Sequence, residues 1–345
     1  MSQKVLYLKS KQGAFEVATA PVPKPGSGEV LIKVQATALN PVDWKIQVLG
    51  LFIEEFPAIL GGDAAGIVEE VGEGVTNLKK GDRVLTNGIY GVNEHATFQQ
   101  YTLGNADVTG KIPDSLSLDE AATIPLGLAT AAVGLFHYGV ESNSAGLFPP
   151  WEDGGSGKYA GEPIFVAGGA SSVGQYVIQL AKLAGFGPIV TTASLRNTES
   201  LKKQGATHVL DRNLPADSLI GEVQKITSAP FKVAYDAVSL PETQNVSYRI
   251  LAPGGTLVLV LAEEVENKTE DKRVVNTYGN TNVPVNRKLG ASLYSKVTSL
   301  LETGAIKPNS VEVLPNGLHG IIDGLEKLKQ GVSKVKLVGH PQETA

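Results

Sequence analysis

The chain has 345 residues, 42% of them hydrophobic and 19% charged, with a formal net charge of −5 at pH 7. This balance fits a globular protein of two domains, and lysines and arginines scattered along the chain leave no electrostatic footprint for nucleic acid. There is no cysteine, which excludes disulfides, thiolate zinc sites and a cysteine nucleophile together. No apolar run approaches the ~18 residues of a membrane span, and the opening MSQKVLYLKSKQG lacks a signal-peptide core, so a cytoplasmic protein with no membrane partner is expected. His95, His137, His208, His319 and His340 show no paired ligand spacing and are read as surface or satisfied core residues.

Residues 1–125 read as β-rich. In EVLIKVQATALN, Val30, Ile32, Val34 and Ala36 alternate with Glu29, Lys33 and Gln35, the period-2 pattern of a half-buried strand. GGDAAGIVEEVG and GDRVLTNG follow, glycines punctuating short Val/Ile runs as the curved strands of a small barrel require. The apolar stretch from Ile46 to Leu60 reads as a loop. Its Leu49, Phe52 and Phe56 are candidates to border an acyl or aryl substrate, though such a run also suits a core. Tyr90, Asn93 and His95 are candidates for an opposite wall.

At Ser117 the pattern changes. SLDE is a capping box, and the Ala-rich helix after it is interrupted by Pro125, so a second helical piece is expected from near Leu126. Glu141 to Glu162, rich in glycine, proline and acid, reads as a surface excursion.

Pro163 to Gly185 organises the rest. Ile164 to Ala167 is a buried parallel strand, Gly168 and Gly169 allow a tight turn, and Val173, Val177, Leu180, Ala181 and Ala184 recur at helical spacing. Strand, glycine turn and helix set free helix N–H groups and the positive end of the macrodipole against a phosphate. Gly169-x-Ser171-x-x-Gly174 is the dinucleotide fingerprint with serine at the second glycine; Gly169, Ser171, Ser172, Val173 and Gly174 are the candidate cofactor contacts. PIVTTAS, HVLD, KVAYDAV and GGTLVLV supply four further strands separated by helices, a Rossmann-like doubly wound parallel sheet over 126–281. The last of these is expected to be the edge strand. Residues 282–345, helix and strand again, are assigned back to the first domain because they would close its barrel.

Cofactor choice rests on the second strand. An NAD-preferring unit usually ends it in an acid that accepts from the ribose 2′-hydroxyl, whereas here it ends in Ser194 with Arg196 two residues on. A serine and a planar cation suit a 2′-phosphate, and Arg212 after the third strand can add to the same pocket, so NADPH is expected.

ATALNPVDWK, GGDAAGIVEEVGEGVTNLKKGDRV, ATIPLGLATA and the nucleotide turn occur in order, and on these marks the chain resembles the medium-chain dehydrogenase/reductase superfamily. Within it the chain is similar to the zinc-free branch of quinone oxidoreductases and trans-acting enoyl reductases that serve polyketide synthases. The resemblance implies a GroES-like barrel domain beside the Rossmann-like one. Asn40, Gly62 and Leu126 stand where the zinc alcohol dehydrogenases carry metal ligands, which implies no metal site. Lys45 resembles a lysine that contacts the nicotinamide ribose and is the candidate catalytic residue, the alternative being a solvated lysine after a strand. Thr130, the second candidate catalytic residue, resembles a threonine bordering the nicotinamide, or bonds its own helix backbone. Asn40 is a site amide or a turn residue before Pro41, and Asp43 a local salt-bridge partner. The implied activity is NADPH-dependent reduction of activated carbon–carbon double bonds without zinc. The alternatives are quinone reduction, a non-catalytic NADPH-binding protein, or a docking partner active only on substrates held by a polyketide synthase carrier domain.

Overall fold

The computed structural model describes residues 1–137 and 144–345. By their internal contacts they divide into two units, Met1–Leu126 with Asn280–Ala345, and Gly127–Gly279.

In the first unit β1 (Ser2–Leu8) pairs antiparallel with β2 (Phe15–Pro21), and β3 (Glu29–Ala38) leads into α1 (Pro41–Leu49). Then come β4 (Ala58–Ile59), β5 (Asp63–Val71), β6 (Arg83–Asn87), β7 (Tyr101–Asn105), β8 (Thr109–Lys111) and α2 (Leu118–Ala122). β3 is the hub, pairing antiparallel with both β5 and β7, and its register to β5 shifts at Leu31/Ile32 and Val34/Ala36. Such bulges bend and twist a strand, the curvature a small barrel needs. Val30, Ile32, Val34 and Ala36 are fully buried as the alternation predicts; Leu31 and Thr37 on the other face are covered too.

Ile46 to Leu60 is not simply a loop. Its beginning belongs to α1, where Pro41 takes a first-turn position that needs no N–H, and Gly50 ends the helix at φ 67°. Ser117 caps α2: its hydroxyl accepts from Glu120 N–H at 3.1 Å while the Glu120 carboxylate accepts from Ser117 N–H at 3.1 Å. α3 (Pro125–Leu135) starts at the proline itself. Leu118–Leu135 is long and apolar enough to cross a membrane, contrary to the expectation from run length, but it is broken between α2 and α3 and mostly buried within the protein.

The second unit holds β9 (Ile164–Ala167), α4 (Ser172–Ala184), β10 (Ile189–Ala193), α5 (Thr198–Gln204), β11 (His208–Asp211) and α6 (Ala216–Ile226), then β12 (Val233–Asp236), α7 (Pro241–Ile250), β13 (Thr256–Leu259) and β14 (Arg273–Asn276). The order β11-β10-β9-β12-β13-β14 is parallel throughout. Succession reverses between β9 and β12, the switch point at which doubly wound sheets take ligands beyond their strand ends. Phe165 and Ala167 of β9 pack with Leu219 and Val223 of α6 and Val246 of α7. The expected edge strand is internal: Arg273–Asn276 adds β14 outside β13, a four-residue element too short and too polar to show as a period. The excursion before β9 begins in part outside the described residues, at 141–143. From Ser144 onward it is anchored rather than loose, with Trp151 buried edge-on to Phe136 and Tyr159 stacked on Phe186.

The chain then returns to the first unit through α8 (Pro284–Glu302), β15 (Ser310–Val313), α9 (Gly317–Gln330) and β16 (Val335–Gly339). β16 pairs antiparallel with β3, Val338 opposite Ala38.

Candidate functional site

The first unit contains a buried polar cluster assembled by strand register. β5 pairs with β3 so that Asp63 lies opposite Ala38, and extending the β16–β3 register by two residues brings Lys336 opposite Asn40. Asn40, Asp63 and Lys336 are all nearly inaccessible, at 4%, 0% and 4% exposure. The Lys336 ammonium lies 2.9 Å from Asp63 Oδ2 and donates to Asn40 Oδ1, while Asn40 Nδ2 donates to Asp63 Oδ2 at 2.8 Å. Asp63 Oδ1 accepts from the Leu126 N–H at 2.6 Å. Burying charge is tolerated only when it is paired and its lone pairs are used, and this arrangement meets both conditions.

Asn40 is the N-terminal boundary residue of α1, and its N–H donates to Asp43 Oδ2 at 2.7 Å. Asp43 Oδ1 accepts from the Tyr90 hydroxyl at 2.8 Å. Asp43 has no exposed surface, and burial pushes its carboxyl up to about 7, against the opposing pull of the Asn40 and Tyr90 hydrogen bonds and of Lys336. Gly62 makes room for this contact, because a Cβ there would fall 2.7 Å from the Tyr90 hydroxyl and 3.3 Å from Leu126 Cδ2. Asp43 is therefore not the local salt-bridge partner expected but a buried acid held by a backbone N–H and a phenol.

Lys45 sits on α1, not directly after a strand, with its ammonium 5.7 Å from the Trp44 ring centre; partial burial holds it below the usual lysine range. Leu49 and Phe52 are exposed, whereas Phe56 packs on the core built around Ile46, Leu60 and Leu337. Of the expected opposite wall only Tyr90 joins the cluster. Asn93 binds the backbone of Ile59 and Pro57, and His95 pairs with Glu29 at 3.0 Å.

In the second unit Gly168 adopts φ +75°, and a Cβ on Gly169 would fall 2.2 Å from Thr191 Oγ1 and one on Gly174 2.3 Å from Gly168 O. Only glycine allows this turn to lie so close to the strand and helix beside it. Ser171 caps α4, its hydroxyl accepting from Gly174 N–H at 3.0 Å, with Ser172 and Val173 in the helix's first turn. The end of β10 lies beside the end of β11, Ala193 opposite Asp211 and the Arg212 N–H on Ala193 O at 3.1 Å. Ser194, half-buried, and the exposed Arg196 and Arg212 therefore stand together past two adjacent strand ends. Neither guanidinium has an ion-pair partner among the described residues. Thr130 is half-buried on α3, and its carbonyl accepts from the Tyr235 hydroxyl at 2.8 Å. The glycine turn and a helix start without an acid in its first turn fit the phosphates of a dinucleotide cofactor.

Sequence reasoning passed over Lys336 and the Tyr90–Asp43 bond. The available signal for the lysine was its place on the same strand face as Val338, one residue from Leu337; a lysine facing inward needs a partner, and the partner lies at the other end of the chain. At the positions matching the zinc enzymes' ligands stand an amide already bonded to an ammonium, a glycine and a leucine, and both Asp63 oxygens are engaged. This donor set does not fit a zinc ion. Among the described residues no group of three or more His, Asp or Glu side chains is arranged to hold a metal.

Residues 26–126 match the alcohol dehydrogenase GroES-like domain and residues 172–286 the zinc-binding dehydrogenase family. The chain is 31% identical to a dehydrogenase, orsE, of Emericella nidulans across 96% of its length and 97% of the relative's. It is 34% identical to the trans-enoyl reductase himH of Aspergillus japonicus, across 90% of this chain and 89% of that one. A mycobacterial protein solved in complex with NADPH shares the fold at a TM-score of 0.77, with 23% identity over 98% of this chain and all of the other. The chain belongs to the medium-chain dehydrogenase/reductase superfamily, and is an oxidoreductase whose fold takes a nicotinamide cofactor.

Proposed function

We propose that this protein is an NADPH-dependent, zinc-independent reductase of carbon–carbon double bonds conjugated to a carbonyl, of the enoyl reductase type. The observation that carries the reading is the buried Asn40–Asp63–Lys336 cluster. An ammonium neutralises the Asp63 carboxylate and occupies the Asn40 amide where a metal-dependent relative would polarise an alcohol oxygen, which favours a substrate that needs no Lewis acid. A conjugated alkene is such a substrate, because its carbonyl delocalises the charge created by hydride addition. The resemblance to a trans-enoyl reductase over nine-tenths of the chain supports the same class.

NADPH, when bound, supplies the hydride. Gly169, Ser171, Ser172, Val173 and Gly174 hold its pyrophosphate at the start of α4; Ser194, Arg196 and Arg212 bind the 2′-phosphate; Lys45 and Thr130 position the nicotinamide ribose and ring. With neither metal nor thiol, orientation supplies most of the rate. Substrates are small activated alkenes, free or presented by a polyketide synthase carrier domain, and the protein works in the cytoplasm.

The test follows NADPH oxidation with an enone, an enoyl thioester, the same acyl group on a carrier protein, and a quinone. Deuteride from labelled NADPH is expected at the β-carbon of the conjugated substrates. Turnover confined to quinone, label at the carbonyl carbon, or cofactor binding with no turnover on any substrate overturns the reading. Activity lost to a chelator and restored by zinc overturns its metal independence.

A further inference from the structure

Among the five side chains of the buried cluster, Asn40, Asp43, Asp63 and Lys336 are closed to solvent, and Tyr90 alone is partly open. Among the described residues Tyr90 is also the only side chain that donates to the Asp43 carboxyl, and its hydroxyl lies over Gly62 beside Leu126. Gly62 and Leu126 are two of the positions at which the resemblance to the zinc alcohol dehydrogenases sets metal ligands. A half-buried phenol beside them, backed by a buried acid, can give a proton and be resupplied.

We propose that Tyr90 delivers the proton to the α-carbon during double-bond reduction and that Asp43 resupplies it, the pair being held in place by Asn40, Asp63 and Lys336. This rests on the double-bond reduction proposed above. The step balances with reduced nicotinamide as the hydride source: two electrons and one hydrogen go to the β-carbon, leaving an enolate. The O–H bond of Tyr90 breaks as a C–H bond forms at the α-carbon, and the carboxyl proton of Asp43 moves to the phenolate oxygen. Asp43, left ionised, regains a proton from solvent through Tyr90 after the product leaves.

Charge within the cluster favours this order. Asp43 is faced by Asp63 of β5, Lys336 of β16 and Tyr90, with Tyr294 of α8 beyond Asp63. One ammonium serves two carboxyl groups, and burial leaves Asp43 titrating at about 7. When Asp43 is protonated it can donate to the phenol oxygen, so the Tyr90 O–H no longer has to point at Asp43. When it is ionised it holds that hydroxyl, and a phenolate beside it would be opposed by like charge. The proton step should therefore slow as pH rises through about 7.

Tyr90→Phe and Asp43→Asn are compared with the wild type on one enone in deuterated water, with NADPH affinity measured by fluorescence. Tyr90→Phe is expected to lower kcat about 100-fold or more with NADPH affinity unchanged, and its residual product should carry deuterium at the α-carbon in both configurations instead of one. The fall in wild-type kcat above neutrality should disappear in Asp43→Asn, whose amide donates to the phenol at every pH. If Tyr90→Phe does not fold, the Asp43→Asn profile decides. A Tyr90→Phe protein with wild-type kcat and a single α-configuration, or an Asp43→Asn protein that keeps the wild-type pH dependence, overturns the donor assignment while double-bond reduction stands. A wild type with no double-bond reduction overturns both.

Discussion

Lys336, in the last strand of the chain, places its ammonium 2.9 Å from the Asp63 carboxylate at the start of β5, with both groups out of contact with solvent. The pair is costly to desolvate, and its stability depends on both partners and on Asn40 remaining. Replacing Lys336 with methionine leaves Asp63 buried without its counter-charge. It is expected to lower folding stability by about 3–5 kcal/mol. Urea denaturation of the variant checks this, and removing Asp63 as well, in Lys336→Met/Asp63→Leu, should recover part of the loss. A single variant with the wild-type midpoint would show that water reaches the cluster.

Arg196 and Arg212 lie past adjacent strand ends without ion-pair partners among the described residues. Arg196→Ala should weaken NADPH binding about tenfold or more, since a hydrogen bond to a charged group contributes about 1.5–3 kcal/mol, and should leave NADH binding nearly unchanged. Titration with each cofactor separates the two effects. Equal losses with both would mean that Arg196 supports the backbone turn instead of the 2′-phosphate.

Lys45→Ala should reduce kcat/KM on an enone by about 10- to 100-fold, the loss of a contact that positions the nicotinamide ribose. Its ammonium lies 5.7 Å from the Trp44 ring centre, a contact whose loss should lower folding stability by less than ~1 kcal/mol. Steady-state kinetics beside thermal unfolding test both halves. Unchanged kinetics would remove Lys45 from the site.

His340 is held between Asp119, 2.7 Å from Nε2, and Glu343, 3.0 Å from Nδ1. Burial disfavours its charged form, but the hydrogen bonds and charges of Glu343 and Asp119 prevail and raise it above the ordinary histidine range. A group raised on folding stabilises the native state fully below its unfolded value of ~6.5, and loses that contribution as pH rises through the higher folded value. The stability gap between the wild type and His340→Gln should therefore shrink as pH rises above the unfolded value of ~6.5. A gap that widens above that value would show that the two carboxylates do not govern His340.

Local chemistry made much of the fold legible. The capping box at Ser117, the proline break before α3, and the turn from Gly168 to Gly174 each lie within a few residues, and each stands as read. β14 was hidden because four residues of mixed polarity carry no period, and α1 because its apolar residues run on into the segment behind it. The proposed phosphate contacts share one turn and two neighbouring strand ends, so spacing could suggest them. The Lys336 cluster could not be read in that way. Its members come from β5, the start of α1, the loop after β6 and the last strand, and only the pairing of β3 with both β5 and β16 brings them together.

The same pairing imposes an order on biosynthesis. The unit from Gly127 to Gly279 is continuous, and all its strands have been made before β16 is translated. Asn40 and Asp63 are synthesised early, yet their counter-ion arrives only with Lys336. The first unit therefore cannot complete its buried cluster until β16 has been made, whereas the unit between has all its strands before then, an inversion of the usual N-terminus-first sequence. The emergence of Lys336, not that of the first hundred residues, supplies the counter-charge the barrel needs.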